Sequence, residues 1–331
     1  MLVHLVGYPM SGISLLAAML QSHTDLAVTP DHYILHAIAD RASTMTPASL
    51  RTAILSDVAI ADTGLTAAKI NAVTAAIIPW STAAATSAIY GSLAATARRP
   101  HCIARSSTHI RCLLKVAALL PATPTIHLVR DGRDVAASNH QLVQADPANW
   151  TDLKPWTRPD YLADWAAETA HVSRFGPTHL APHYIEVRYE DLVANPAAQL
   201  QRICAHLVIA YQPAMLSFAA AAQAQLNTLG PIAVGPTIYA TAVQRRAYSP
   251  LLTAALTTSR VGRWKAEWTS GEVSAITTEA RDALARFGYD VSSIQPMPGP
   301  AFNEAAIEAA RATPANQPCC NPPPPPDGPT S

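Results

Sequence analysis

The chain has 331 residues, and its 23 lysines and arginines are balanced by 23 aspartates and glutamates. That length suits one α/β domain with insertions, and charge so sparse and balanced excludes a broad basic surface for nucleic acid. The cysteines Cys102, Cys112, Cys204, Cys319 and Cys320 show no metal-ligand spacing and read as reduced thiols of a cytoplasmic protein.

The first apolar run, Leu2–Val6, reads as a buried strand, too short to be the apolar core of a signal peptide. Gly7 and Pro9 mark a tight turn, and a helix starting near Ser11 is predicted from Leu15, Leu16, Met19 and Leu20. Residues 41–99 read as a helical, Ala-rich insertion, and Lys69, Asn71 and Pro79 break its apolar part, so no membrane span is expected. Three more strands are predicted at residues 101–104, Thr125–Val129 and 183–187, the first two running directly into helical patterns. This alternation predicts an α/β fold with a central parallel sheet flanked by helices. Further helices are predicted from the face Leu162, Trp165, Thr169, Val172 and Phe175, from Asn195 capping Pro196, and from a last run Val273, Ile276, Ala280, Leu284 and Phe287 closed by Gly288. Residues 1–295 are read as one domain, and residues 296–331, rich in Ala and Pro, as a disordered or extended tail. Nothing in the sequence specifies an oligomeric state.

The segment LVHLVGYPMSGISLL carries the clearest chemistry. A strand, a tight turn and a helix start aim backbone N–H groups and the positive end of a helix dipole at one spot, which suits a phosphate or sulfate. Gly7 and Gly12 have the separation of the G-x-x-x-x-G-K-[ST] loop, and Ser14 fits its last position. Ile13 replaces the lysine, which argues against a nucleoside triphosphatase or a magnesium-dependent kinase. Taken alone, the segment is equally a plain strand-to-helix turn. In TIHLVRDGRDVAASNH, Arg130 ends a strand where open α/β sheets bind ligands, and Ser138 follows two helical turns later. Arg130 has the planar fork that grips a phosphate through two parallel hydrogen bonds. Read alone, RDGRD is more often a solvated charge cluster.

The segments GYPMSGIS, LVRDGRDVAAS, VRYEDLVANP and VGRWK, in this order, resemble the sulfotransferase superfamily, most closely in style the bacterial group similar to protein-tyrosine sulfotransferases. The resemblance implies a P-loop-like nucleotide-binding fold, 3′-phosphoadenosine 5′-phosphosulfate (PAPS) as co-substrate, a hydroxyl acceptor and no metal. It implies that Ser11, Gly12, Ile13 and Ser14 hold the 5′-phosphosulfate, and that Arg130 and Ser138 bind the 3′-phosphate. Tyr189 is placed near the adenine, and Arg263 and Lys265 on a loop that closes over the nucleotide. Where the family usually has two threonines this chain has Ile13 and Ser14, so one hydroxyl is lost.

Sulfuryl transfer needs a cradle for the sulfonate, a cation at the leaving oxygen and a base for the acceptor hydroxyl. The family loop usually carries Arg or Lys where this chain has Met10, and a thioether is at best a weak acceptor. Arg105, in IARSSTH, matches a family lysine and is the candidate substitute. For the base, Asp31 stands where the tyrosine-sulfating style has a glutamate, His109 is ranked second, and His32 is adjacent. His4, His23 and His127 read as structural. Met10 and the shorter Asp31 also motivate a rival reading, a nucleotide-binding homologue with impaired catalysis. The variable segments 31–99, 141–160 and 226–246 have few charges and favour a small or lipid-like alcohol as acceptor.

Overall fold

The computed structural model describes residues 1–57, 59–107, 109–145, 156–234, 237–247 and 250–295, so the expectation for the 296–331 tail lies outside the described residues. In chain order, β1 (Leu2–Val6), α1 (Ile13–Gln21), β2 (Leu26–Val28) and α2 (Ile34–Ala39) come first. The Ala-rich stretch then folds as α3 (Pro47–Leu55), α4 (Ile60–Thr63), α5 (Ala67–Ala75) and α6 (Thr82–Thr96). Next come β3 (His101–Ser106), α7 (His109–Leu119), β4 (Thr125–Val129), α8 (Gly132–Ala145), α9 (Arg158–His179) and β5 (Tyr184–Arg188). They are followed by α10 (Tyr189–Ala194), α11 (Pro196–His206), α12 (Phe218–Thr228), the strands β6 (Ile232–Val234) and β7 (Thr237–Ala240), and α13 (Ala242–Ala247). The short helices α14 (Trp264–Glu267) and α15 (Ser270–Ser274) precede α16 (Thr278–Arg286).

The first five strands form one sheet in the order β2-β3-β1-β4-β5, and every pairing in it is parallel. Its strands are nearly continuous apolar runs because helices cover both faces. Val3, Leu5, Ile103, Ile126 and Leu128 pack with Leu16, Leu20, Leu200, Ile203 and Phe218 on one face. On the other, Val129 packs with Val135, Leu162, Trp165 and Leu284, and Val6 with Ile110, Leu113 and Val172. Val6 lies opposite Ser106 on one side and His127 on the other. Arg130 therefore projects three residues, about 10 Å, past the end of β1, alongside the turn that follows it.

The fold differs from the sequence expectation in three places. It has a fifth strand, β2, whose three residues are too few to show a period, and β6 and β7 form a separate antiparallel pair. The predicted last helix is two helices, because Thr269 and Glu272 form a capping box for α15 and Thr277 caps α16. Ile276, Ala280, Leu284 and Phe287 still bury together. Asn195 takes the N-cap position of α11 without a side-chain capping bond. Leu162, Trp165, Thr169 and Val172 are buried as expected, whereas the Phe175 side chain lies outside the described residues.

The end of α11 stores strain. Val208 has φ of 57°, is 90% exposed, and sits where Ile209 N–H closes back on the Cys204 carbonyl. That position favours glycine, and a β-branched residue is poorly suited to it. Val208→Gly is expected to stabilise the fold by about 1 kcal/mol, read as a raised denaturation midpoint in urea.

Candidate active site

The turn after β1 is held so that its carbonyls face the protein. Tyr8 O accepts from the Ser11 hydroxyl at 2.6 Å, Pro9 O from Asn139 Nδ2 at 3.4 Å, and Met10 O from an Arg130 terminal nitrogen at 2.9 Å. The Tyr8 hydroxyl anchors the same turn to Asp164 of α9 at 2.5 Å. Met10 and Gly12 both take positive φ, 67° and 99°. The first amides of α1 to find a carbonyl are those of Leu15 and Leu16, both on Gly12 O. The amides of Gly12, Ile13 and Ser14 precede that ladder at the positive end of the helix dipole, a geometry that suits an anion, whereas the Ser11 amide and hydroxyl, expected with them, are both turned onto Tyr8 O. The Ile13 side chain itself is buried in the core with Leu16, so only its amide serves the cradle. The Tyr189 ring lies against Gly12, and a Cβ there would sit 2.5 Å from Tyr189 Cδ2.

Arg130 is buried at the centre of this arrangement. Besides Met10 O it donates to Ser138 Oγ at 3.4 Å and to Arg260 O at 2.8 Å, and its guanidinium lies 4.8 Å above the Tyr189 ring. Its Nε is buried without a partner among the described residues. The guanidinium thus faces the amino end of α1, and Arg130, Ser138, Tyr189 and the loop come together. The positive charge of Arg260 also acts on Tyr189. Sequence reasoning missed Arg260; the signal was an arginine three residues ahead of Arg263 in SRVGRWK.

Two named residues of that loop point elsewhere. Arg263 forms an ion pair with Glu267 at 2.6 Å and donates to Gln141, one turn beyond Ser138, at 2.7 Å. Lys265 lines a separate cavity with Asp131, Arg188, Tyr289 and Ser293. The loop itself is docked by a residue that looked like part of a solvated cluster. Asp134 is fully buried, and its carboxylate accepts from Gly262 N at 2.7 Å and Trp264 N at 2.9 Å. Arg133 stacks 3.9 Å over the Trp264 ring. Burial raises the Asp134 carboxyl above its usual range against the pull of these amides and Arg130. Removing both acceptors in Asp134→Ala is expected to accelerate amide exchange at Gly262 and Trp264 by about 10- to 100-fold, each bond to a charged acceptor being worth about 1.5–3 kcal/mol. Unchanged exchange would show that the loop is held by Trp264 packing alone.

On the other side of the cradle, an Arg105 terminal nitrogen donates to Ser14 Oγ at 2.9 Å. The same group lies 3.8 Å from Asp31 Oδ2. The Arg105 amide is fixed by Thr29 Oγ1 at 3.1 Å, and its Nε is buried without a partner among the described residues. Arg105 therefore occupies the first turn of α1, where Met10 offers no charge. Burial raises the Asp31 carboxyl, while Arg105 and hydrogen bonds from Ser106 and Ser107 lower it. Because 40% of the Asp31 side chain remains open to solvent, water weakens this desolvation. His32 is sealed in the core, its ring 5.7 Å from Tyr90, and burial pushes it down to about 3. It is neutral and faces away from solvent. His109 opens α7, and its side chain lies outside the described residues. Of the histidines read as structural, His23 bonds the Ala210 carbonyl at 2.7 Å, His127 bonds Tyr184 at 2.6 Å, and His4 is pushed down to about 4 by burial.

Among the described residues no group of His, Cys, Asp and Glu is arranged to hold a metal ion, and no helix is long and apolar enough to cross a membrane. The model of the sulfotransferase family matches residues 3–213. No curated protein matches the chain. Among solved structures, it is similar to the sulfotransferase domain from the curacin biosynthetic pathway, at 19% identity over 87% of this chain and 97% of that one, with a TM-score of 0.57. It is likewise similar to the sulfotransferase domain of the Synechococcus PCC 7002 olefin synthase, at 21% identity over 88% of this chain and 96% of that one, with a TM-score of 0.57.

Proposed function

The chain belongs to the sulfotransferase family, and from that premise we propose that it moves a sulfuryl group from PAPS to the hydroxyl of a small or lipid-like alcohol, with Arg105 in place of the missing loop cation. The observation that carries this reading is the Arg105–Ser14 contact of 2.9 Å at the first turn of α1. PAPS supplies the activated sulfonate and a phosphate leaving group. The amides of Gly12, Ile13 and Ser14 cradle its anionic end, as the unpaired start of α1 suits. Arg130 and Ser138 hold the second phosphate, and the partnerless Arg130 Nε marks remaining donor capacity there. Arg260 joins them, Tyr189 provides an aromatic wall, and Arg263 and Lys265 act through the loop docked by Asp134. Arg105 stabilises charge that develops at the leaving oxygen, and Asp31 accepts the proton of the acceptor hydroxyl. We further propose residues 1–295 as one catalytic domain, with the insertion at 41–99 as part of the acceptor wall, working in the cytoplasm without a metal.

Isothermal titration with 3′-phosphoadenosine 5′-phosphate (PAP), beside a transfer assay with labelled PAPS across a panel of alcohols, tests the reading. Binding together with transfer is expected. Binding with no transfer anywhere on the panel would favour the impaired homologue. A base must be deprotonated to act, and the Asp31 carboxyl is raised, so kcat/KM should fall on the acid side at a pH above the ordinary carboxylate value. Asp31→Asn should remove that limb along with most of the activity, and retention of both would return the role to another group.

A further inference from the structure

The ends of β4 and β5 each face two ways. Arg130 and Tyr189 meet at the cradle, whereas their neighbours Asp131, Arg188 and Glu190 line a second cavity of about 560 Å³, which Val261, Gly262 and Lys265 of the loop help to close. That volume is in the range of small-molecule sites. Arg130, Ser138 and Tyr189 take no part in its wall. The carboxylates on this wall are already engaged. Asp131 accepts from Arg133 Nε at 2.9 Å and from a terminal nitrogen of the same residue at 2.7 Å. Glu190 accepts from the Asp131 amide and the Tyr289 hydroxyl, both at 3.0 Å. Asp134 accepts from the Gly262 and Trp264 amides.

Two cations on the same wall keep donor capacity. Arg188 Nε is buried without a hydrogen-bond partner among the described residues, and the Glu190 carboxylate lies 4.0 Å from it, beyond hydrogen-bond reach. The guanidinium lies 4.5 Å over the Tyr289 ring. Gly288, at φ of 74°, leaves the space beside it bare, since a Cβ there would lie 3.6 Å from Arg188 Nη1. Lys265 is exposed. Asp290, on which its charge acts, turns its own carboxylate to the Ser292 amide at 2.9 Å. Two cations that share a cavity with engaged carboxylates favour an anion between them. A phosphate monoester, close to a dianion at neutral pH, matches two charges better than a singly charged sulfate ester does. The cavity far exceeds an inorganic anion and leaves room beside Val261 and Gly262 for an organic part. Arg188 ends β5 on the body of the fold, and Lys265 belongs to α14, so an anion gripping both ties the loop to the sheet.

We propose that this cavity binds a small phosphate monoester between Arg188 and Lys265, and that the occupant braces the loop docked by Asp134 and so slows exchange of the nucleotide. The second part rests on the PAPS reading, and the first does not. Protein labelled with ¹⁵N-tryptophan and saturated with PAP tests the first part. Trp264 lines the cavity, and its amide resonance is assigned by its loss in Trp264→Phe. Phenyl phosphate is expected to shift that resonance saturably. Lys265→Gln and Arg188→Gln should each weaken its binding by about tenfold or more, the loss of one charge-assisted hydrogen bond. Lys265 is exposed, so Lys265→Gln decides the point even where Arg188→Gln fails to fold. Phenyl sulfate, with one charge, and inorganic phosphate, with no ring, should both bind more weakly. Shifts that never saturate, or an affinity unchanged in Lys265→Gln, would overturn the site, and equal binding of phenyl sulfate or of inorganic phosphate would overturn the ester assigned to it. For the second part, phenyl phosphate should slow release of labelled PAP into an excess of unlabelled PAP by about fivefold or more, and should not do so in Lys265→Gln. Competition at the nucleotide side cannot produce this result, because it leaves the dissociation rate untouched. Unchanged release in the wild-type chain would overturn the bracing. If PAP does not bind at all, the PAPS reading fails by itself. The same tryptophan titration on nucleotide-free protein then decides the cavity, where Arg105→Gln should leave the affinity for phenyl phosphate unchanged.

Discussion

Arg105→Ala is expected to lower kcat by about 10²–10³, the usual loss when one preorganised donor at a developing negative charge is removed, while weakening PAP binding much less. The asymmetry follows from where the guanidinium sits. It contacts Ser14 at the first turn of α1 and lies 3.8 Å from Asp31, at the end of the site where we propose that transfer takes place. The groups on the far side of the loop, Arg130 and Ser138, are untouched by the change. Met10 sits in the same turn without a charge, and the residue is 37% exposed, so a longer cationic side chain has room there. Met10→Lys in the Arg105→Ala background should therefore restore part of the lost turnover, whereas in the wild-type chain it should add little. Steady-state transfer from labelled PAPS checks both. An Arg105→Ala enzyme within about threefold of wild type would mean that the loop amides alone carry the charge.

The second large effect is on binding. Arg130→Ala should weaken PAP by about 10²–10³-fold, since a buried guanidinium paired with phosphate is worth several kcal/mol when truncated. Asp31→Ala should change PAP affinity less than about threefold. Arg130 does two jobs at once, because its donors also hold the Met10 and Arg260 carbonyls. Its loss should lower the melting temperature as well as the affinity. Arg130→Lys separates the two: a lysine keeps the charge but cannot span both carbonyls and the hydroxyl. Titration calorimetry beside thermal melts reads this directly, and a larger binding loss in Asp31→Ala than in Arg130→Ala would show that the two ends of the site were assigned in reverse.

The three inner strands β3, β1 and β4 and the edge strand β5 were readable from their apolar runs, and the helices after β1, β3 and β4 because their apolar positions recur at helical spacing. What escaped was short or locally punctuated. Leu26–Val28 has too few residues for a pattern, and the Thr269 and Thr277 caps cut a helix whose apolar stripe runs on across the break. At the site, the loop and Arg130 were visible because strand ends and Gly-rich turns have fixed chemistry. Arg105 could be named from its place at the end of β3, but its contact with Ser14 depends on the parallel register of β1 and β3, which no local pattern encodes. Asp134 looked like surface charge because its partners, Gly262 and Trp264, lie about 130 residues away in sequence.

The Tyr189 ring beneath Gly12 has a consequence for how this chain can change over generations. Any side chain at position 12 collides with that ring, and the ring in turn carries Arg130 on its face. A smaller residue at 189 would relieve that collision but not the backbone, because φ of 99° at Gly12 strains any other residue. Glycine at 12 is therefore required twice over, once by the ring against it and once by its own backbone.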